Sequence, residues 1–297
     1  MERPRKILVA VDFSATSDRA LEAALEIGAT FGAEVHLIHA LEVPLPIFEP
    51  YAVSVPAAFV AEARKAAQEK LGAALQKVKA RGLAGTASLG EVPAAPSVAE
   101  RAAELGADLV VVGTRGHTGL KHVLLGSVAE RTVHDAPCSV LTVKGDGEPV
   151  FPPTNVAVGV DFSEPADRAL TIARELASEF GAKLHLVHAL DLRIPFVTPY
   201  EVSVPDAFIE SAREAALQKL EALVAEARAA GIEAVSHLAS AAPSSALSEA
   251  AEQIGADLLV TGSRGLTGLK HVVLGSVAER TLRHAPCSVL TVKPRED

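Results

Sequence analysis

The chain has almost nothing with which to build a covalently stapled scaffold. Its 297 residues include two cysteines, one methionine and no tryptophan, and Asn155 is its sole asparagine. Two cysteines in a chain this long are not a disulfide framework. Cys138 and Cys287 both sit in the stretch APCSVLTVK and read as small apolar residues opening a strand. A zinc site from His134, Cys138, His284 and Cys287 is the alternative, but the unequal spacings His-x3-Cys and His-x2-Cys argue against it. Positive charge is also short, with 28 Lys and Arg against 37 Asp and Glu and a net charge of −9. Nucleic-acid binding, which neutralises phosphates with clustered cations, is therefore not expected. No apolar run reaches the roughly 18 residues of a membrane span. The opening MERPRKILVAVDFS breaks its short apolar stretch at Asp12, which predicts no signal peptide and a cytoplasmic protein. Few labile residues and many charged ones fit a heat-adapted source or a GC-rich genome.

What the chain has, it has twice. Residues 113–127 read GTRGHTGLKHVLLGS and residues 262–276 read GSRGLTGLKHVVLGS. The same offset, 113 against 262, carries Asp12 to Asp161, His39 to His188, Pro56 to Pro205 and Cys138 to Cys287. A register held over a whole half indicates a duplicated domain. The expected division is 1–145 and 154–297, joined by a linker at 146–153 within the Gly- and Pro-containing GDGEPVFPP. Each half has ample length for its own core.

Each half alternates apolar runs with helical patterns. The first predicts strands at Lys6–Val11, Glu34–Ala40, Thr86–Leu89, Asp108–Val112 and Ser139–Val143. Between them it predicts helices at Thr16–Phe31, Ala57–Arg81, Ser97–Leu105 and Gly126–His134, with Gly32, Gly82 and Gly106 as stop signals. Alternating strands and helices imply βαβ crossovers, and near-continuous apolar strands imply a sheet covered on both faces. The expectation is an α/β fold of two doubly wound domains. Each has a five-stranded parallel sheet in the order 3-2-1-4-5 with helices on both faces. The long stretches Val43–Pro56 and Leu192–Pro205, rich in proline, read as either a lid or domain contact or a self-packed surface loop.

Such sheets bind ligands at the carboxyl ends of their strands, where strand order reverses. For this order the crevice lies between the first and fourth strands. Asp12 ends the first strand, and Gly113 ends the fourth and opens a loop with the spacing G-x2-G-x9-G-S. Gly113 and Gly116 permit positive φ and close backbone approach. Gly126 and Ser127 open the next helix, whose free N–H groups suit a phosphate. Arg115, Lys121 and His122 add positive or titratable groups. The spacing is neither a Walker A loop nor the dinucleotide G-x-G-x-x-G. Taken singly, each residue has a plainer reading: Ser127 or Asp12 as a helix cap, Lys121 and His122 as solvated side chains. Their joint repetition in the second half favours a site.

These residues carry a resemblance. Both halves resemble universal stress protein domains over nearly all of the chain, through Val-Asp-Phe-Ser after the first strand, the G-x2-G-x9-G-S loop and Ala-Pro before the last strand. The loop resembles that of the ATP-binding branch of the family. The resemblance implies that Asp12 and Asp161 lie against the nucleoside, and that Ala40 and Ala189 offer backbone groups to adenine. It further implies that Gly113, Arg115, Gly116, Gly126, Ser127 and Val128 wrap the ribose and phosphates, with Gly262, Arg264, Gly265, Gly275, Ser276 and Val277 as the second set. It implies ATP as cofactor, with or without Mg2+, and a pseudo-dimer of the two halves through their last strands; two chains could associate further. One departure is visible: Gly90, in LGEVPAAPS, is matched by Ala239 in LASAAPSSA. If Gly90 needs positive φ, the second site or its helix start is altered.

Three functions follow: a nucleotide-binding regulatory protein with little turnover, a slow ATP hydrolase, or an interaction scaffold with vestigial sites. Hydrolysis needs a base or water-positioning group and usually a metal clamp. Glu130, Glu279, His122 and His271 are the only candidates for these roles, and each is as readily a solvated or anion-binding side chain. Binding without efficient turnover is the expected reading.

Overall fold

The computed structural model describes residues 3–41, 56–90, 93–116, 125–145, 151–191, 205–265 and 274–294. The long stretches at Val43–Pro56 and Leu192–Pro205, apart from Pro56 and Pro205, lie outside these, as do Lys121, His122 and His271. The chain divides into two compact units, Glu2–Phe151 and Pro152–Asp297.

The first unit runs β1 (Lys6–Ala10), α1 (Ala15–Phe31), β2 (Glu34–Ala40), α2 (Ala57–Ala80), β3 (Ala87–Gly90), α3 (Ala94–Leu105), β4 (Leu109–Gly113), α4 (Ser127–Asp135) and β5 (Ser139–Val143). All its strand pairs are parallel: β2 with β3, β1 with β2, β1 with β4 and β4 with β5. This is the doubly wound order, with the reversal between β1 and β4. The second unit repeats it as β6 (Asn155–Gly159), α5 (Glu164–Phe180), β7 (Lys183–Ala189), α6 (Asp206–Ala229), β8 (Ala234–Ala239), α7 (Pro243–Ile254), β9 (Leu258–Gly262), α8 (Ser276–His284) and β10 (Ser288–Val292). Its pairs are β7–β8, β6–β7, β6–β9 and β9–β10, again parallel.

The apolar runs form central strands because they are buried on both faces. Ile7, Leu8, Leu109, Leu141, Leu184 and Leu258 are among the fully buried side chains, and each stabilises its unit by ~1.5–3 kcal/mol. Successive strand residues point to opposite faces. A methyl group built on Gly90 would lie 3.1 Å from both Ile38 Cδ1 and Ser97 Cβ of α3, whereas the ring of His39 meets Phe13, over which Lys70 of α2 lies. Helices α2 and α3 therefore cover opposite faces. Helix α1 ends at Gly32, φ +69°, and α3 at Gly106, φ +59°, the left-handed stops their sequences signal.

Two expectations change. Helix α3 begins at Ala94, three residues before Ser97, with Pro93 as its cap; proline is accepted in a first turn, where its missing N–H is not needed. Gly90 does not have positive φ, so Ala239 is not strained by the backbone. The exchange is one of packing: Ile38, whose Cδ1 crowds Gly90, is matched by the shorter Val187, in register between Leu186 and His188 of β7.

The halves differ more at the amino ends of the strands. In the second, His185 Nδ1 lies 3.0 Å from His237 Nε2, and His185 Nε2 lies 3.3 Å from Asn155 Oδ1. Burial, then His237 and Lys183, push the His185 imidazole down to about 4; burial and then Lys183 lower that of His237. In the first half His36 instead meets Thr86 Oγ1 at 2.9 Å and Glu34 Oε2 at 3.0 Å.

Candidate functional site

At the carboxyl edge of the first sheet, β1 runs out through Val11 into Asp12. The Val11 N–H donates to the Ile38 carbonyl at 2.9 Å, which carries the β1–β2 ladder one step past the strand. Asp12 Oδ1 then accepts from the Ser14 N–H at 2.9 Å and from Ser14 Oγ at 2.5 Å. Ser14, not Asp12, caps α1, accepting from the Ser17 N–H. With Oδ1 so engaged, Oδ2 faces the glycine loop: a methyl group built on Gly116 would lie 2.6 Å from it. In the second half Asp161 Oδ1 accepts from the Ser163 N–H at 3.0 Å and from Ser163 Oγ. A methyl group on Gly265 would stand 2.8 Å from Asp161 Oδ2. The aspartate after the first strand and the second glycine of the loop, about a hundred residues apart in sequence, meet in both halves.

The glycines serve space and not conformation. None of Gly113, Gly116, Gly126 or their counterparts Gly262, Gly265 and Gly275 has left-handed φ. A methyl on Gly113 would strike Thr16 Cγ2 at 2.8 Å and the Thr16 carbonyl carbon at 3.1 Å, so this glycine lets β4 pass close under the first turn of α1. A methyl on Gly262 would stand 3.1 Å from Pro165 O.

The two ends of the loop are tied together. The Gly126 N–H donates to the Thr114 carbonyl at 2.7 Å, and Gly275 to Ser263 at 2.8 Å. The Thr114 N–H is held by Val143 O at 2.9 Å and that of Ser263 by Val292 O at 2.8 Å. This clamp sets the N-terminus of α4 beside Arg115: a methyl on Gly126 would be 3.9 Å from the Arg115 Cα. Gly126 is the cap residue of α4, with no side-chain hydrogen bond to the helix, and Gly275 is the same for α8. Ser127 and Ser276 are thus the first helical residues and not caps. A glycine at the cap brings no side chain to the opening N–H groups of either helix, and each terminus carries a partial positive charge. Ser127, Val128, Ser276 and Val277 are exposed, and Val128 and Val277 are equally so at 36%.

Ala40 ends β2 in register with Gly90, and Ala189 ends β7 in register with Ala239. Both are at the same carboxyl edge as Asp12 and Asp161 and half-buried. Arg115 and Arg264 are half-buried between clamp and glycine. The crevice of each half therefore gathers an aspartate, a glycine-spaced backbone, an arginine and a glycine-capped helix N-terminus. That set can hold an anion against the helix while the carboxylate accepts from hydroxyl or amine donors. Among the described residues no group of three or more His, Cys, Asp or Glu could hold a metal ion.

Sequence reasoning passed over the residues that shape this corner. Phe13 and Phe162 have φ of +64° and +60°, a region costly for a bulky side chain by ~1–3 kcal/mol. Their rings tilt against His39 at 4.4 Å and His188 at 4.7 Å. Lys70 Nζ lies 5.4 Å from the centre of the Phe13 ring, and Lys219 Nζ 5.0 Å from that of Phe162. Nδ1 of His39 donates to the Val11 carbonyl at 2.8 Å and Nδ1 of His188 to Val160 at 2.7 Å. The signal was in the repeated Val-Asp-Phe-Ser and the repeated histidine, but a phenylalanine after a strand looks like core.

Comparison with known proteins agrees with the duplication. The model of the universal stress protein family matches twice, at residues 4–144 and 153–293. Proteins of Staphylococcus aureus that carry the universal stress protein name are 35% identical over 145 residues, 48% of this chain and 85% of theirs. The crystal structure of a universal stress protein from Archaeoglobus fulgidus aligns over 97% of this chain and 96% of its own, at 25% identity and a TM-score of 0.69. A Pseudomonas aeruginosa structure aligns over 98% and 94% at 19% identity and a TM-score of 0.70, a likeness of fold.

Proposed function

Since this chain belongs to the universal stress protein family, with one family domain in each half, we propose that it is an adenine-nucleotide-binding regulatory protein of the stress response, one that holds ATP with little or no turnover. The observation that carries the reading is the approach of Asp12 Oδ2 to Gly116, and of Asp161 Oδ2 to Gly265, beside helix termini whose cap residue is a glycine. Phosphates bind at the N–H groups opening α4 and α8, with Ser127 and Ser276 adding hydroxyls and Arg115 and Arg264 adding charge. Gly113, Gly116 and Gly126, with Gly262, Gly265 and Gly275, keep the backbone close to the ligand. Asp12 and Asp161 accept from the nucleoside, Ala40 and Ala189 offer backbone groups to the base, and Val128 and Val277 help wrap the ribose and phosphates. Mg2+, where present, enters on the triphosphate. Glu279 supports low turnover, since it is engaged by Arg283 at 3.1 Å on the helix surface.

Isothermal titration of the nucleotide-stripped chain with ATP, with and without Mg2+, tests this. Two ATP per chain is the expected outcome, with phosphate release far slower than exchange. No heat, together with a negative equilibrium dialysis, would leave the scaffold reading in its place.

A further inference from the structure

At the corner after the first strand of each half, one bulky side chain occupies backbone space that favours glycine. Phe13 and Phe162, at φ +64° and +60°, are the only non-glycine residues there among those described. Such outliers persist where the surroundings over-determine them, and they gather at functional sites. The surroundings are the same in both halves and come from three directions. The imidazole of His39 supports one side of the Phe13 ring and pins the preceding turn through Val11 O. Lys70 of α2 reaches over the ring. Ser14, on the far side of the turn, binds Asp12 Oδ1 through both its N–H and its hydroxyl. His188, Lys219 and Ser163 repeat this around Phe162. A helix cap alone needs only the serine, so neither the strain nor the clamped ring is explained by starting α1.

We propose that Phe13 and Phe162 are positioning residues. Their clamped, left-handed backbone turns the chain so that one carboxylate oxygen of Asp12 or Asp161 is tied to Ser14 or Ser163 while the other is aimed at Gly116 or Gly265. The proposal rests on the nucleotide reading above. The rings touch imidazole and lysine, and they act on the ligand through the aspartate. Pre-organising an acceptor in this way saves the ordering that binding would otherwise have to impose.

A double-mutant cycle on the full chain, read as ATP affinity by isothermal titration, tests this. Phe13→Ala with Phe162→Ala is one arm and Asp12→Asn with Asp161→Asn the other. Each arm should weaken ATP by about tenfold or more, and the four-fold variant should be no weaker than the aspartate variant, because a residue acting through another has nothing left to position. If the alanine variant does not fold, Phe13→Gly with Phe162→Gly takes its place: glycine accepts this backbone without strain but still removes the clamped ring, and the same loss is expected. Phe13→Tyr with Phe162→Tyr, which keeps ring and clamp, should restore wild-type affinity. Unchanged affinity in the folded alanine or glycine variant, while the aspartate variant loses binding, overturns the positioning role and leaves the nucleotide reading intact. Fully additive losses overturn it too, since the ring would then act independently of the carboxylate. A wild-type chain that binds no ATP removes both readings together.

Discussion

Repetition of a residue in both halves does not by itself make it functional, and the aspartates show why. Asp108 and Asp257 recur as faithfully as Asp12 and Asp161. Yet Asp108 Oδ2 accepts from the N–H groups of Arg5 and Lys6 at 2.8 and 3.1 Å, and Asp257 Oδ2 accepts from Thr154 and Asn155 at 2.7 and 2.9 Å. They close the amino end of the first strand and do structural work. Asp12 and Asp161 are distinguished by their second oxygen, which faces a glycine across the crevice. Gly116→Val with Gly265→Val should therefore weaken ATP by at least about tenfold, since the new Cβ must displace a carboxylate oxygen; unchanged affinity in equilibrium dialysis would sink the site assignment. At Gly90 the prediction concerns packing. Gly90→Ala should destabilise the first unit by ~1 kcal/mol through contact with Ile38 Cδ1. Combined with Ile38→Val, the pairing found in the second half, it should show a favourable coupling of at least ~0.5 kcal/mol in denaturant unfolding.

Among the elements, the edge strands separate the halves. The His185 imidazole, 7% exposed and held to about 4 by burial and by His237, titrates near 6.5 in an unfolded chain. Between those values the unfolded state binds the extra proton. The stability it contributes is complete above about pH 6.5 and is lost as pH falls toward 4. His237, also lowered, adds to the loss, and Lys183 and Asn155 offer no anion beside it. Glu233, the one carboxylate acting on His185, is itself paired with Lys183 at 2.8 Å. In the first half the partner is a carboxylate instead, with His36 Nε2 3.0 Å from Glu34 Oε2. Hydrogen-exchange protection of β8 amides should thus fall between pH 6.5 and 4.5, a range within this window, while β3 keeps its protection. Equal loss in both would rule out the histidine pair as the cause. At the start of α1, Ser14→Ala should cost ~0.5–2 kcal/mol of stability and also remove the hydroxyl bond to Asp12 Oδ1, leaving only the backbone N–H to hold it, so thermal melting and ATP affinity should drop together.

Over the whole molecule, the duplication makes the sites countable. Gly116→Val alone and Gly265→Val alone should each reduce ATP stoichiometry from two per chain to one, with the remaining site at wild-type affinity. A persistent stoichiometry of two in either variant would place that ligand elsewhere. Saturation should stabilise each loaded unit by about 2.7 kcal/mol at one hundred times the dissociation constant, and calorimetry of the single-site variants should show which unit gains it. The matched loops give no reason for unequal affinity, and with Gly90 outside the left-handed region the Ala239 exchange gives none either.

The sequence by itself determined the duplication, the α/β class and the crevice at which to look. These depend on local period, on glycine stops and on an offset that survives along the chain. It set Asp12 and Asp161 at the carboxyl ends of strands, but only folding shows that Asp108 Oδ2 accepts from strand N–H groups while Asp12 holds Ser14 with one oxygen and turns the other toward Gly116. It could not tell a glycine required for φ from one required for room, since the second depends on what packs against it, Thr16 at Gly113 and Asp12 at Gly116. Nor could it mark Phe13, whose importance lies in a backbone angle and in His39, twenty-six residues away, which reaches it only because β1 and β2 lie side by side in the sheet.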